Sequence, residues 1–459
     1  MSENSRAENQ LGTEPIGRLL VRMSLPMIIS FFIQALYNIV DSIFVSRISE
    51  NALTAVSLAF PMQMAAHAIA VGLSVGLNAK VPEAFGAKDE KRANRIAGTA
   101  IFLSFVSMLV FMAAGFLFTT PIYEHQTDAA EIIHGGSVYL RILWTVSAGE
   151  FFGQLLEKML LCAGCPLAAM LSQACGAVFN IVFDPLLIFG IGIFPRLGIA
   201  GAAWATVGGQ IAAALLALIM NLKHNHLIHL QPSDFRPDIS SCKDVLSVGF
   251  PSMVTIGLSS LSNYLINQIL LSYSTTATAV YGIWAKLQNF CYMPVFGMNN
   301  GMVPILSYNL SAHHPDRVKK TFHMAWVFIL LLQVCLMVIL ECIPASLLSL
   351  FNASESMKAI GIQALHICLL SLPFGGMTII MTTAMQSLRH SHYALIANIL
   401  RQFINLYFFT ALLSALTHDL SIVWRAVPIA ELASFITAFL LMRSMFNRLH
   451  LSEDDAHRF

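Results

Sequence analysis

Charge is what this chain lacks. Asp, Glu, Lys and Arg make up 11% of its 459 residues, against about 25% in soluble domains. With 56% of residues hydrophobic, so little charge cannot cover a water-facing surface, and the chain reads as an integral membrane protein. A Walker loop, an H-E-x-x-H helix and a dinucleotide fingerprint are all missing, which excludes the chemistries those motifs serve. No hydrophilic interval is long enough to hold an ATPase, so the energy for any transport must come from an ion gradient or a separate subunit. The net charge of +1 and the lack of a basic, aromatic-interleaved arm leave no footprint for nucleic acid. The first fifteen residues are polar and lead straight into a full-length span with no small-residue cleavage site, so no removed signal peptide is expected. Among eight cysteines only Cys162 and Cys165 form a C-x-x-C pair. They lack the second pair or the histidines of a zinc site, and a predicted cytoplasmic position argues against a disulfide.

What is present is a series of twelve apolar segments, near 16–46, 53–80, 93–118, 131–160, 166–191, 199–222, 244–271, 277–307, 318–343, 356–387, 392–416 and 421–445. Each can cross about 30 Å of hydrocarbon. They lack the alternation of a barrel, so the expected fold is an all-α polytopic membrane protein. If both termini are cytoplasmic, the tails and even-numbered loops hold about nineteen Lys and Arg, while the opposite loops hold only Arg47, Arg196 and Lys358. That asymmetry sets the expected orientation.

The hydrophilic interval 223–243 falls near the midpoint and reads as a cytoplasmic linker between a first lobe, 16–222, and a second, 244–447. Tails at 1–15 and 448–459 complete the division. His224, His226 and His229 in the linker have no carboxylate or cysteine beside them, so solvated side chains explain them better than a metal does. A shift of 225 residues lays Pro26 over Pro251, Asn38 over Asn263, Ala52 over Ala277 and Asn180 over Asn405. Six helices per half make this a parallel repeat, of the kind that commonly encloses a substrate pathway at its interface.

The first span carries the carboxylate that needs explaining. Gln34, Tyr37, Asn38 and Asp41 lie near one another at helical spacing, and Pro26 removes a backbone hydrogen bond some four turns earlier. An acid in hydrocarbon usually faces a watery cavity or a cation. The fifth span answers with Gln173, Ala177, Asn180 and Asp184 on one face, followed by Pro185. Two carboxylates across a small cavity either raise a proton affinity or take up a cation with nearby amide oxygens. Asp41, Asn180 and Asp184 form a hard-oxygen set suited to H+ or Na+, with no other metal site expected. Both acids belong to the first half alone, since the repeat lays Asp41 over Ile266 and Asp184 over Phe409.

The fourth span adds Tyr139, Arg141, Glu150 and Glu157. Glu157, beside Lys158, either joins the site or snorkels to the interface, and Glu150 is a pairing partner for Arg141. In the second half the polar positions are Asn263 and Asn267, then Lys286, then Arg401 and Asn405, then Glu431. Lys286, Arg401 and Glu431 form either a buried ion pair that fixes packing or a positive face for a substrate's anionic group.

The run Tyr37-Asn38-Ile39-Val40-Asp41-Ser42-Ile43-Phe44-Val45 after Leu25-Pro26 resembles the opening of the MATE (multidrug and toxic compound extrusion) transporters. So do Gly86-Ala87-Lys88-Asp89-Glu90, Asn180-x-x-x-Asp184-Pro185, Gly198-x-x-Gly201-Ala202-Ala203, Pro373-Phe374-Gly375 and Arg401-Gln402. The prokaryotic branch with the DNA-damage-inducible and staphylococcal multidrug types is the most similar. The resemblance implies a V-shaped MATE/MOP-type fold, twelve helices in two pseudo-symmetric six-helix bundles. It implies an antiporter of the bacterial cytoplasmic membrane, monomeric and surrounded by lipid, needing no cofactor, that exports small organic compounds in exchange for H+ or Na+. Asp41, Asn180 and Asp184 would hold the ion, with Tyr139 and Glu157 at its edge and Pro26 as the bending point. The alternative is a flippase for a lipid-linked precursor or polysaccharide, which should show a continuous basic groove. Departures from the pattern are Glu157 in place of an amide, Ser46 in place of the glycine after helix 1 and Leu388 in place of a glycine after Gln386, and Ala202 offers a metal ion no side-chain oxygen.

Overall fold

The computed structural model describes residues 10–236, 238–350 and 355–456, and no strand occurs among them. Of the expected tails, residues 1–9 and 457–459 lie outside the described ones. The helices in order are α1 (Ile16–Ser46), α2 (Glu50–Gly86), α3 (Glu90–Leu117), α4 (Thr119–Glu124), α5 (Ala130–Thr145), α6 (Ala148–Cys162), α7 (Pro166–Phe189) and α8 (Ile199–His224). They continue as α9 (Ile239–Leu271), α10 (Thr275–Ser311), α11 (Pro315–Glu341), α12 (Pro344–Leu350), α13 (Glu355–Leu369), α14 (Leu372–Ser387), α15 (Ser391–Ile399), α16 (Leu406–Thr417), α17 (Leu420–Val423) and α18 (Ala426–Ala456).

Among the described residues nine helical stretches are each long and apolar enough to cross a membrane, and α13 with α14, bent by 45° at their junction, makes a tenth. The other two crossings are more polar. One is α5 with α6, broken at Val146 and Ser147, and the other is α10, whose 37 residues carry a single charge, Lys286. The fold is therefore the all-α, twelve-crossing one. Large apolar side chains such as Val110, Phe116 and Leu117 on α3, Leu222 on α8 and Leu331 on α11 stand exposed. In water they would form a patch too large for a soluble monomer, and lipid is the solvent they suit. Helix starts at the ends of crossings are capped by side chains that take up orphan amides. Ser49 accepts from the Ala52 amide and Asp89 from the Arg92 amide, each at 3.0 Å.

Contacts divide the chain into two compact units, one of residues 1–254 with 300–318 and one of 255–299 with 319–459. In the first unit α8 packs along α7, and α1 packs along the other side of α7. The approach of α7 to α8 depends on two glycines. A Cβ on Gly176 would lie 2.8 Å from the Gly209 carbonyl oxygen, and one on Gly209 would lie 2.7 Å from that of Gly176. Backbone against backbone brings the next turns of α7, with Asn180 and Asp184, hard against α8. Leu11 is tied to the end of α10 and the start of α11, because its carbonyl accepts from Asn309 at 2.9 Å and from Arg317 at 3.0 Å. In the second unit α14 packs along α18. Between α15 and α16 the helix widens into a π-helical turn at Leu400–Asn405, and Arg401 lies on it. Such turns arise where one extra residue is accommodated without breaking the helix.

Candidate functional site

The polar stripe of α1 faces α7 through a chain of side chains. Buried Ser30 donates to the Gln173 carbonyl oxygen, which fixes the rotation of α1 against its neighbour. About three turns further on along each helix, Asp41 comes against Asp184, and the two carboxyl groups are direct interaction partners. Asp184 and Asn180 are 0% and 2% exposed. Neither Asp184 oxygen, nor Asp41 Oδ1, nor Asn180 Oδ1 has a hydrogen-bond partner. The amide nitrogen of Asn180 is committed, at 3.4 Å, to Thr206 Oγ1, which itself donates to the Ala202 carbonyl at 3.0 Å. Thr206, one turn on from Ala202, thus takes up the Asn180 amide nitrogen and leaves its oxygen, one turn before Asp184 on α7, without a donor.

Four acceptor oxygens from two helices, with no donor among them, form a site short of positive charge. Buried acceptors normally find partners, and a carboxylate left without one carries the full penalty of lost hydration. Hard oxygens of this number suit a proton or an alkali cation. Two phenols adjoin the pair. Tyr37, one turn before Asp41, bonds to Gln34 and lies within electrostatic reach of both acids. Tyr139, 3% exposed on α5, bonds to Gln63 and lies within reach of both as well.

The other expected positions scatter. Asn38 is exposed and Pro26 half-buried, the latter inside an unbroken α1. Glu157, 3% exposed, accepts from Lys158 at 3.0 Å and from Gln173 at 2.8 Å, so it is buried rather than snorkelling. Both its oxygens have donors, in contrast to Asp184. Glu150 does not take Arg141 as its partner. It accepts from Gln210 at 2.8 Å and lies 2.8 Å from His67 Nδ1, while Arg141 reaches Thr120. The break between α5 and α6 accounts for this difference, since it restarts the helix two residues before Glu150 and aims the acid inward.

In the second unit Arg401 and Glu431 form a two-bond fork at 2.8 and 2.9 Å, both residues 8% exposed. The guanidinium also lies over the Tyr292 ring, 5.6 Å from its centre. Gly375 leaves room for that tyrosine, as a Cβ there would lie 1.8 Å from the phenol oxygen. Asn405 donates to Ser434 at 2.9 Å and Asn263 accepts from Tyr281 at 3.0 Å. Asn267 has a buried oxygen without a partner, and Lys286 is exposed. The sequence reading passed over His67 and Gln210, and gave Thr206 no role. A histidine in the middle of an apolar 37-residue helix is itself the signal that marks the first of these.

The family model MatE matches the chain twice, over residues 26–186 and 251–410. The two matches begin at the offset of the internal repeat. The FAD transporter of Shewanella oneidensis is 26% identical over 84% of this chain and 86% of its own length. The multidrug export protein MepA of Staphylococcus haemolyticus is 25% identical over 95% of each. Among solved structures, the outward-facing conformation of a multidrug resistance MATE family transporter of the MOP superfamily is 22% identical. It covers 98% of this chain and 99% of that one, at a TM-score of 0.91.

Proposed function

Because the chain belongs to the MatE family and is a transporter rather than an enzyme, we propose that it exports small organic compounds from the bacterial cell in exchange for H+ or Na+. Its cargo is amphiphilic and cationic or zwitterionic, and export proceeds by alternating access. The similarity to the staphylococcal multidrug exporter over 95% of both chains supports efflux of several compounds rather than one. The chain works as a monomer among lipids, both termini on the cytoplasmic side, with 16–222 and 244–447 as its two lobes.

The observation that carries this reading is the set of donor-less oxygens on Asp41, Asn180 and Asp184. Two adjoining acids cannot both stay ionised and bare in a low-dielectric interior. A proton or Na+ on the pair relieves the repulsion, and the pair must give it up when the opposite state is reached. A coupling ion drives a two-state transporter only by binding the states unequally, and an acid pair that opens or closes in the cycle supplies that inequality. The lack of a hydroxyl at Ala202 weighs toward the proton.

The ion pair of the second unit gives an anionic cargo no advantage. Arg401 is answered by Glu431, so it offers no net positive charge to a phosphate. This counts against the flippase alternative. The FAD transporter among the relatives keeps an anionic dinucleotide in the test panel.

The test is active efflux from proteoliposomes under an imposed pH or Na+ gradient, with lipophilic cations, zwitterions and FAD as cargo. Wild-type protein should move at least one cation against its gradient, and Asp41→Asn should abolish the drive while membrane insertion is unchanged. Full gradient-driven efflux by Asp41→Asn would remove the acid pair from the mechanism.

A further inference from the structure

We propose that His67 and Glu150 form a second proton-binding station in the first unit, separate from the Asp41 and Asp184 pair and filled and emptied in the same transport cycle. The proposal rests on the ion-coupled reading above.

His67 stands near the middle of α2, about 25 Å from either helix end at 1.5 Å per residue. Glu150 is the third residue of α6, just past the break in the α5 and α6 crossing. Both groups therefore sit deep in the membrane, where titratable side chains are costly and mark function by default. Glu150 lies in the first turn of α6, where the helix dipole favours a carboxylate, and Gly149 lets α6 press on α8, since a Cβ there would lie 2.6 Å from the Ile211 amide nitrogen. That approach delivers Gln210.

The hydrogen bonds decide which group changes its charge. Glu150 Oε2 accepts from Gln210 at 2.8 Å, and Oε1 lies 2.8 Å from His67 Nδ1. With a neighbour on each oxygen the Glu150 carboxyl has its acceptors met, in contrast to Asp184, whose oxygens have no partner. The imidazole is the group left to titrate. While Nδ1–H donates to Glu150, a proton is gained or lost at Nε2, and the pair passes between zero and one negative charge with its hydrogen bond intact.

The surroundings admit this change. Lys158 on α6 lies within electrostatic reach of the ring, but Glu157 pairs with it at 3.0 Å. On α1, Tyr37 reaches Glu150, Asp41 and Asp184 alike. From α5, Tyr139 bonds to Gln63, one turn of α2 away, and α8 brings the neutral Gln210. The stretch 101–117 of α3 carries no titratable residue. Tyr37, within reach of all three carboxyl groups, places the two stations in one polar neighbourhood. Negative charge appearing on the aspartates raises the proton affinity of His67, and their neutralisation lowers it.

A contact that merely pins α2 to α6 predicts none of this. The experiment follows the His67 ring nitrogens by 15N NMR in reconstituted protein from pH 5 to 8, assigned against His67→Gln, and repeats it in Asp41→Asn. The ring should titrate within that range, and its midpoint should fall in Asp41→Asn. In proteoliposomes, His67→Gln, which keeps a donor for Glu150, should export under a pH gradient with an altered pH profile. Glu150→Gln should release the ring proton. A ring that keeps one protonation state from pH 5 to 8, or a His67→Gln profile that coincides with wild type, overturns the station and leaves the aspartate reading standing. Titration of the ring with gradient drive intact in Asp41→Asn overturns the aspartate reading instead.

Discussion

Arg401 and Glu431 meet fork to fork at 2.8 and 2.9 Å, a closed exchange of charge that leaves neither side with an unmet group. In the first unit, Asp41 and Asp184 have no such counterpart. The repeat is thus alike in helices and unlike in charge. Compensated ions fix a structure, and uncompensated ones wait for something to bind.

Removal of one member of the fork should be worse than removal of both. Arg401→Met strands a buried carboxylate and should cost about 3–5 kcal/mol, whereas Arg401→Met with Glu431→Leu should recover most of it. Thermal unfolding of the three variants in detergent checks the order, and equal losses for the single and the double would refute it.

Asp184→Asn should act in the opposite sense on stability. It replaces a buried carboxylate that has no donor on either oxygen by a neutral isostere, and should stabilise the protein by about 1 kcal/mol while transport is lost. The melting temperature in ion-free buffer, set beside efflux, is the measurement.

Gly375→Ala should disturb the second unit through Tyr292. The added methyl meets the phenol oxygen at 1.8 Å, and overpacking of this kind costs about 1–3 kcal/mol. Tyr292→Leu in the same chain should restore the melting temperature, because it removes the colliding atom.

At the start of α9, outside the membrane, Asp238 accepts from the Ser241 amide and is reached by Arg95 at 3.3 Å. The Ser241 amide above all, and then Arg95, hold its carboxyl below the usual aspartate range. A lowered value in the folded state means the contribution is complete above about pH 4, the ordinary aspartate value, and is lost as pH falls through the lower one. At neutral pH, Asp238→Ala should speed amide hydrogen exchange over residues 240–245, and Asp238→Asn, which keeps the acceptor, should do so much less.

The crossings were legible because hydrocarbon demands long apolar runs, and α1, α7 and α8 stand where those runs place them. The repeat was legible because prolines and asparagines recur at a fixed offset, and the family model finds the same two copies. What could not be read was partner choice. Glu150 is nine residues from Arg141 but bonds to His67, 83 residues away, and to Gln210, 60 away. Such partners are set by how closely helices approach, which at Gly149, Gly176 and Gly209 depends on a missing methyl. The π turn at Arg401 was hidden for a similar reason. One residue of extra winding leaves no mark in composition, yet it decides which side chains share a face beyond it.

The ties from Leu11 and Glu14 to Arg317 bear on how the chain is made. Both are clasped by a side chain synthesised some three hundred residues later. Until that arginine emerges, residues 11–14 must be left unfastened, and a nascent chain halted at the midpoint linker would keep its first half open there.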